Sequence, residues 1–510
     1  MSLARAHGVV ISGVDAHLVE VEAHLSSGLP GMSIVGLGDT AVCEARDRVR
    51  AAVLNSGARW PQVRITVGLS PASLHKRGSG LDLAIASAIL AADGQIPGEP
   101  LADAILFAEL GLDGRVRPVR GAVVAAVAGV RSGRSRIVVA QRNAAEAGVV
   151  PGITAVGVAS LRHWGQIVTG GTVDDPAPDE LAADPDMTLD RVVVEPDLAD
   201  VLGQPEAIAA LEIAAVGGHH VAMVGRPGVG KTLLAERLPS ILPDLTDEDA
   251  LTVTAIRSVV ADVRGLIRRP PFQSPPHTAP VAALGGGGRG GQPTPGAVTL
   301  AHAGVLFLDE AAEFGSACLE SLRQPLESGV VSIARAGFTA RMPARFQLIL
   351  AANPCPCGLG DGVGEECRCR SVDRRRYRAK LSGPLMDRVD IRLALGPPSR
   401  TSWSLEADSQ GSAPVRERVR EARERADRRC RALGLEPALN GAQPSASLRG
   451  PLAPDPAAAG VLGTAVATGR LSARGADRAI RVSWSLADLA GCSRPSLEHI
   501  GRALTLRGDT

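Results

Sequence analysis

Apolar and polar residues alternate through "VRITVGLS" (63–70), and "RIVVA" (136–140) is a short apolar run; both patterns predict strands. The Ala-rich stretches "GLDLAIASAILAA" (80–92) and "GAVVAAVAGV" (121–130) predict helices between them. Together they make residues 1–168 an α/β or α+β domain. The Pro-, Gly- and Asp-rich "GGTVDDPAPDELAADPD" then breaks the pattern, and residues 169–189 read as a linker.

A different pattern occupies residues 190–396. Short apolar runs recur in "HHVAMVGRPGVGKTLLAERL", "GVLFLDEAAEF" and "FQLILAANP", with helical stretches between them. Buried strands alternating with helices predict a parallel sheet. The Gly/Pro-rich "SPPHTAPVAALGGGGRGGQPTPG" (274–296) reads as a surface loop. After a second linker, 397–414, the charged "VRERVREARERADRRCRALG" and the periodic "LSARGADRAIRVSWSLADLAG" predict an all-α segment over 415–510. The fold class is therefore multidomain α/β.

Composition narrows the function. A chain of 510 residues exceeds one core. The net charge of +1 puts no global field on the molecule, so a polyanion must be met by a local patch. No apolar run approaches the ~18 residues that span a bilayer, and no targeting segment opens the chain. A cytoplasmic protein that does not engage membrane is expected, with its thiols reduced. Aromatic residues make up 2% of the chain, which disfavours base-stacking platforms. Three lysines, Lys76, Lys231 and Lys380, stand against 52 arginines.

One of those lysines sits in chemistry. "GRPGVGKT" fits G-x-x-x-x-G-K-[ST] in full, from Gly225 through Pro227, Gly228 and Gly230 to Lys231 and Thr232. Glycines there let backbone N–H groups wrap phosphate oxygens, Lys231 adds a point charge, and Thr232 offers its hydroxyl to Mg²⁺. The following helix aims its positive end at the anion. ATP with Mg²⁺ is the implied ligand pair. Hydrolysis also needs a metal-side carboxylate and a group to orient water. "VLFLDE" supplies Asp309 and Glu310 at a strand end. Asn353, ending "LILAAN", offers an amide near the γ-phosphate, and Arg388 in "SGPLMDRVDI" is placed to reach a neighbour's nucleotide.

Half of the eight cysteines fall in "CPCGLGDGVGEECRC": Cys355, Cys357, Cys367 and Cys369. Structural zinc, free thiols and a redox pair are the three readings of this C-x-C…C-x-C pattern. Zinc would staple a Gly-rich loop that has little apolar content. The basic "RSVDRRRYRAK" that follows is either a solvated face or a phosphate-binding edge.

These motifs, with "ESLRQPLESG" and "SARGADRAIRVSWSLADL", occur in the same order in the magnesium-chelatase-like AAA+ ATPases, and the chain resembles the ComM/YifB branch along its length. The resemblance implies a Lon-protease-like (S5-like) α+β domain, an AAA+ core and a helical lid. It further implies a homo-hexameric ring and ATP-driven DNA helicase or branch-migration activity on single-stranded or branched DNA, without sequence specificity. By position, Arg388 matches the arginine finger and Arg474 the sensor-2 arginine. Residues 313–337 resemble a helix and pore hairpin, with Arg335 a candidate DNA contact. The family's "RPFRAPHH"-like run appears here as "RRPPFQSPPHT", with Gln273 and Pro276 at two altered places. In the Lon-like domain, Gly80 stands where the nucleophilic serine would be and Val123 where the lysine would be. A non-proteolytic scaffold follows, in which Lys76 is expected to be a surface cation. Two other functions stay open: a magnesium-chelatase motor subunit, which the Lon-like domain argues against, and a nucleotide-gated protein scaffold or chaperone.

Overall fold

The computed structural model describes residues 2–36, 40–76, 78–171, 195–289, 292–335, 338–360, 367–381, 383–396 and 410–508. Among the described residues, nine strands precede residue 160: β1 (Ser2–Ser12), β2 (Asp15–Ser26), β3 (Gly31–Val35), β4 (Arg64–Ser70), β5 (Ala104–Phe107), β6 (Glu109–Leu110), β7 (Val116–Arg117), β8 (Arg136–Ala140) and β9 (Thr154–Val158). Seven of them form one mixed sheet in the order β3-β4-β2-β1-β5-β8-β9, while β6 and β7 make a small ribbon. β1 and β2 pair antiparallel from Ser2↔Leu25 to Ser12↔Asp15. On β2 the alternation turns Val19, Val21, Ala23 and Leu25 inward. The helix Asp82–Ala92 packs against β1 and β2 and is buried nearly all round, as a sequence whose only polar residues are Asp82 and Ser87 requires.

The second sheet is wholly parallel. Its region contains β10 (Val221–Gly225), β11 (Phe272–Gln273), the hairpin β12 (Gly287–Arg289) and β13 (Gln292–Thr294), β14 (Val305–Leu308), the hairpin β15 (Val330–Arg335) and β16 (Phe338–Pro343), β17 (Gln347–Ala352) and β18 (Ile391–Leu395). The sheet order is β11-β14-β17-β10-β18. Every residue of β14 and β17 is buried, which explains their continuous apolar runs. Parallel strands deliver their carboxyl ends to one edge, and there the chain leaving β10, β14 and β17 converges.

The stretch 274–296 departs from the irregular loop expected of it. It holds the helix Val281–Gly285, anchored by fully buried Leu284, and the β12–β13 hairpin. Its glycines serve close packing: a Cβ on Gly296 would lie 2.3 Å from the backbone N of Gly286. The tip of the β15–β16 hairpin, residues 336–337, and the Arg335 side chain lie outside the described residues. Residues 410–508 are helical, with no strand among those described; the first helix, Ser412–Ala432, begins inside the stretch read as linker. The helix Ala473–Leu489 packs on it and on the helix Pro205–Gly217 of the parallel-sheet unit.

Lys76 corrects an expectation. It is fully buried in the first unit, not exposed, and its Nζ donates to the Pro71 carbonyl. Desolvation lowers its pKa. The positions matched to the Lon dyad have these surroundings. A Cβ on Gly80 would meet the Phe107 ring at 2.6 Å, Val123 is buried in the helix Ala122–Arg131, and the Ser79 hydroxyl is engaged by Glu109.

Candidate nucleotide site and cysteine cluster

At the carboxyl edge of the parallel sheet a cleft of about 390 Å³ is lined by Pro227, Gly228, Gly230, Lys231, Thr232, Leu233, Asp309, Glu310, Ala352 and Asn353. The loop leaving β10 turns through Gly228 (φ +82°) and Gly230 (φ +92°), conformations a side chain resists. Gly225 does not line the cleft; a Cβ there would sit 2.8 Å from the Leu395 carbonyl on β18, so glycine lets β18 approach.

Lys231 opens the helix Lys231–Ile241 and is 8% exposed. Its ammonium donates to the carbonyls of Gly225 (2.7 Å) and Arg226 (2.8 Å) and to Asn353 Oδ1 (3.1 Å). Burial lowers its pKa, opposed by the charges of Asp309 and Glu310. Thr232 Oγ1 donates to Asp309 Oδ2 at 2.9 Å, so the two oxygen ligands expected for Mg²⁺ already touch. The Glu310 backbone N donates to Asp309 Oδ1 at 2.9 Å, and Glu310 itself takes φ +50°, an unusual backbone for a non-glycine residue. This places a lysine, a hydroxyl–carboxylate pair, a second carboxylate and an amide around one cleft, which fits ATP with Mg²⁺.

Two sequence-designated arginines lie elsewhere. Arg388 precedes β18, with its guanidinium on Glu327 and the Pro384 carbonyl. Arg474 is exposed in the first turn of the helix Ala473–Leu489. Neither lines the cleft of its own chain.

One contact to the site was not anticipated. His277 Nδ1 lies 3.2 Å from Glu310 Oε2. The signal for it was present in "RRPPFQSPPHT", where His277 keeps the family's last histidine while Pro276 replaces the one before. A second unanticipated feature ties the final helices to the core. Arg478 on the helix Ala473–Leu489 donates to the Arg388 carbonyl (2.9 Å) and to Asp390 Oδ1 (2.5 Å). Fully buried His219 contacts Ser485 Oγ at 2.8 Å and lies 3.7 Å from Asp390. Burial pushes the Asp390 carboxyl up, but His219 and Arg478 outweigh it and hold it well below the usual carboxylate range.

The four cysteines gather directly after β17. The Sγ atoms of Cys355, Cys357, Cys367 and Cys369 all lie within 4.8 Å of one another. Cys355–Cys357, Cys355–Cys367 and Cys357–Cys367 are 3.3, 3.7 and 3.6 Å apart. Tetrahedral Zn²⁺ with bonds of about 2.3 Å needs S···S separations of about 3.8 Å, so the donor set fits zinc. The Gly360 N–H points at Cys355 Sγ (3.1 Å), an outer hydrogen bond typical of thiolate ligands. Backbone donation at Leu359, then the Cys355 thiol, hold Cys357 at about 6. The loop touches the phosphate site: a Cβ on Gly358 would meet the Pro227 ring at 2.8 Å.

Fold and cleft together define a P-loop ATPase. The profile described as "Magnesium chelatase, subunit ChlI" matches residues 197–402, "Magnesium chelatase, subunit ChlI C-terminal" matches 409–507, and "Subunit ChlI of Mg-chelatase" matches 21–143. An uncharacterized protein of Mycobacterium tuberculosis is 47% identical over 99% of both chains. The uncharacterized protein YifB of Escherichia coli is 42% identical over 83% of this chain and 82% of its own. Competence protein ComM of Haemophilus influenzae is 37% identical over 99% of this chain and 98% of its own. The chain belongs to the ComM/YifB family of magnesium-chelatase-like AAA+ ATPases.

Proposed function

We propose that this protein is an ATP-driven motor that remodels single-stranded or branched DNA, working as a cytoplasmic homo-hexamer. The observation that carries the reading is the full-length similarity to a competence protein in a chain whose cleft keeps every group that hydrolysis needs from one protomer. Among the described residues no helix is long and apolar enough to cross a membrane.

In this reading Lys231 and the amides of the Gly228–Thr232 turn bind the phosphates, and Thr232 and Asp309 hold Mg²⁺. The metal, when bound, neutralises charge on the phosphate oxygens. Glu310 orients and deprotonates the attacking water, with His277 fixing its carboxylate. Asn353 holds the water or the γ-phosphate and is steadied by Lys231. Arg388 acts on the next protomer's nucleotide, and its present partner Glu327 holds it until the interface forms. Arg474 acts from the lid. Supporting the trans role of Arg388, its guanidinium lies outside its own chain's cleft, which Lys231, Thr232, Asp309, Glu310 and Asn353 line. The first sheet serves as a Lon-like scaffold without proteolysis, and the cysteine loop holds structural zinc.

A chelatase motor is the second reading. Since the profile matching residues 21–143 is itself named for a chelatase subunit, the first domain does not separate the two. ATPase assays do: wild type and Lys231→Ala are compared without DNA, with single strands and with branched duplex. The motor reading expects DNA to raise the wild-type turnover severalfold and Lys231→Ala to be silent throughout. Turnover indifferent to every DNA form would contradict it.

A further inference from the structure

The helix Ser371–Lys380 has two unlike faces. Inward, the Tyr377 ring is 5% exposed, packed where it feels the Asn353 backbone and the charges of Glu313 and Glu310. Lys380 Nζ reaches Glu313 at 3.2 Å, in the turn that begins directly after Glu310. The cysteine loop leading into the helix presses Gly358 on Pro227. The segment thus touches the phosphate turn, the end of β17 and the acidic turn after β14.

Outward, the face is cationic. Residues 368–380 carry seven Arg/Lys and one Asp, and with Asp361, Glu365 and Glu366 included the segment 353–380 still holds three net positive charges, in a chain whose total is +1. Arg370, Arg375 and Arg376 are exposed and, among the described residues, form no ion pair. The other arginine-rich helix, Ser412–Ala432, behaves oppositely. Arg418 pairs with Glu212, Arg420 with Glu417 and Glu424, and Arg425 with Glu421. Arginines balanced by carboxylates suit a solvated face; a cluster left without them lacks its counter-anion.

We propose that this outward face binds nucleic-acid phosphates, and that occupancy is transmitted through Tyr377, Glu313 and the cysteine loop to the ATP cleft. The inference rests on the DNA-motor reading and adds the surface by which DNA stimulates turnover. Point charges on exposed arginines contact backbone phosphate without reading bases. A chain of phosphates at fixed spacing complements several guanidinium groups along one helix, which an isolated carboxylate does not.

The test uses the full-length protein with Arg370, Arg375 and Arg376 all changed to Ala, and a milder Arg375→Glu variant. Basal ATPase and the melting curve, which none of the three residues supports, serve as fold controls. Anisotropy with a labelled single-stranded oligonucleotide is followed across a salt series. Affinity is expected to fall at least about tenfold, and the slope of log K against log salt to flatten by about 2, because three phosphates of a single strand are no longer neutralised. DNA-stimulated ATPase should drop towards the basal rate, with polyglutamate unable to compete. Unchanged affinity and slope in the folded variants overturn the inference and leave the motor reading standing. Polyglutamate competing as well as DNA overturns it in favour of an acidic protein partner. Wild type that binds no nucleic acid at all brings down both.

Discussion

Glu310 meets His277 across 3.2 Å at the mouth of the cleft, and that contact makes the sharpest claim at the scale of single residues. A carboxylate that must aim one water loses rate when its orientation loosens, while ATP binding is untouched. His277→Ala should therefore lower kcat by roughly tenfold with KM unchanged, and His277→Asn should restore part of it, read by steady-state ATPase. An equal rise in KM would mean His277 shapes the binding site instead. A second residue prediction concerns pH. Glu146 is 2% exposed, with Oε2 accepting from Asn143 and Oε1 without a partner. Desolvation pushes its pKa up to about 7. The folded chain thus binds a proton that the unfolded chain releases near pH 4.5, so this contribution to stability is full below that pH and is lost as pH rises through about 7. Glu146→Gln should stabilise the protein by up to about 3 kcal/mol at pH 8 and hardly at all at pH 4.5, measured by urea midpoints. These residues divide by legibility. Lys231 and Thr232 were legible because they close the glycine-rich G-x-x-x-x-G-K-[ST] spacing, and Asp309 and Glu310 because they follow the short apolar strand β14. The burial of Lys76 and Glu146 was silent, since nothing local in a sequence tells which tertiary surface will cover a long polar side chain.

Among elements, the join between the final helices and the core carries the most chemistry. Asp390 is 2% exposed and faces Arg478 and His219. Removing one member of such a buried group leaves uncompensated charge, typically at a cost of about 3–5 kcal/mol. Asp390→Ala should accordingly lower the melting temperature of the parallel-sheet unit, and adding Arg478→Leu should recover part of the loss. If the double variant is no better than the single one, the pair is not coupled. The cysteine loop makes a parallel claim. Purified protein should contain about one zinc per chain, and Cys355→Ser with Cys367→Ser should lose it, by metal analysis. The element pattern was largely readable: the helix Asp82–Ala92, the strands β4, β8, β10, β14 and β17, and the hairpin before β17 fall where periodicity and resemblance put them. The stretch 274–296 did not, because its glycines looked like slack when Gly296 in fact permits backbone contact. The network joining the final helices to the core was also hidden, being built from residues 90 and 88 positions apart.

The whole molecule is proposed to work only as a ring. Each protomer holds its own Lys231 but offers Arg388 to the next, so sites are completed across seams. Lys231→Ala and Arg388→Ala chains should each be nearly inactive alone, and mixing them should regain activity at the seams where an intact cleft meets an intact finger. Failure to complement would place Arg388 in a structural role beside Glu327. The first sheet is not an isolated appendage: Gly121 N donates to the Ser258 carbonyl at 2.8 Å, and Leu251 and Ala255 of the helix Asp247–Val260 pack against its core. The central claim is that ATP turnover moves DNA, and a labelled four-way junction tests it most directly. Wild type with ATP and Mg²⁺ should convert the junction to resolved duplexes, and the Glu310→Gln variant, which binds ATP without hydrolysing it, should leave it intact. ATP consumed at full rate over an unchanged junction would contradict the account.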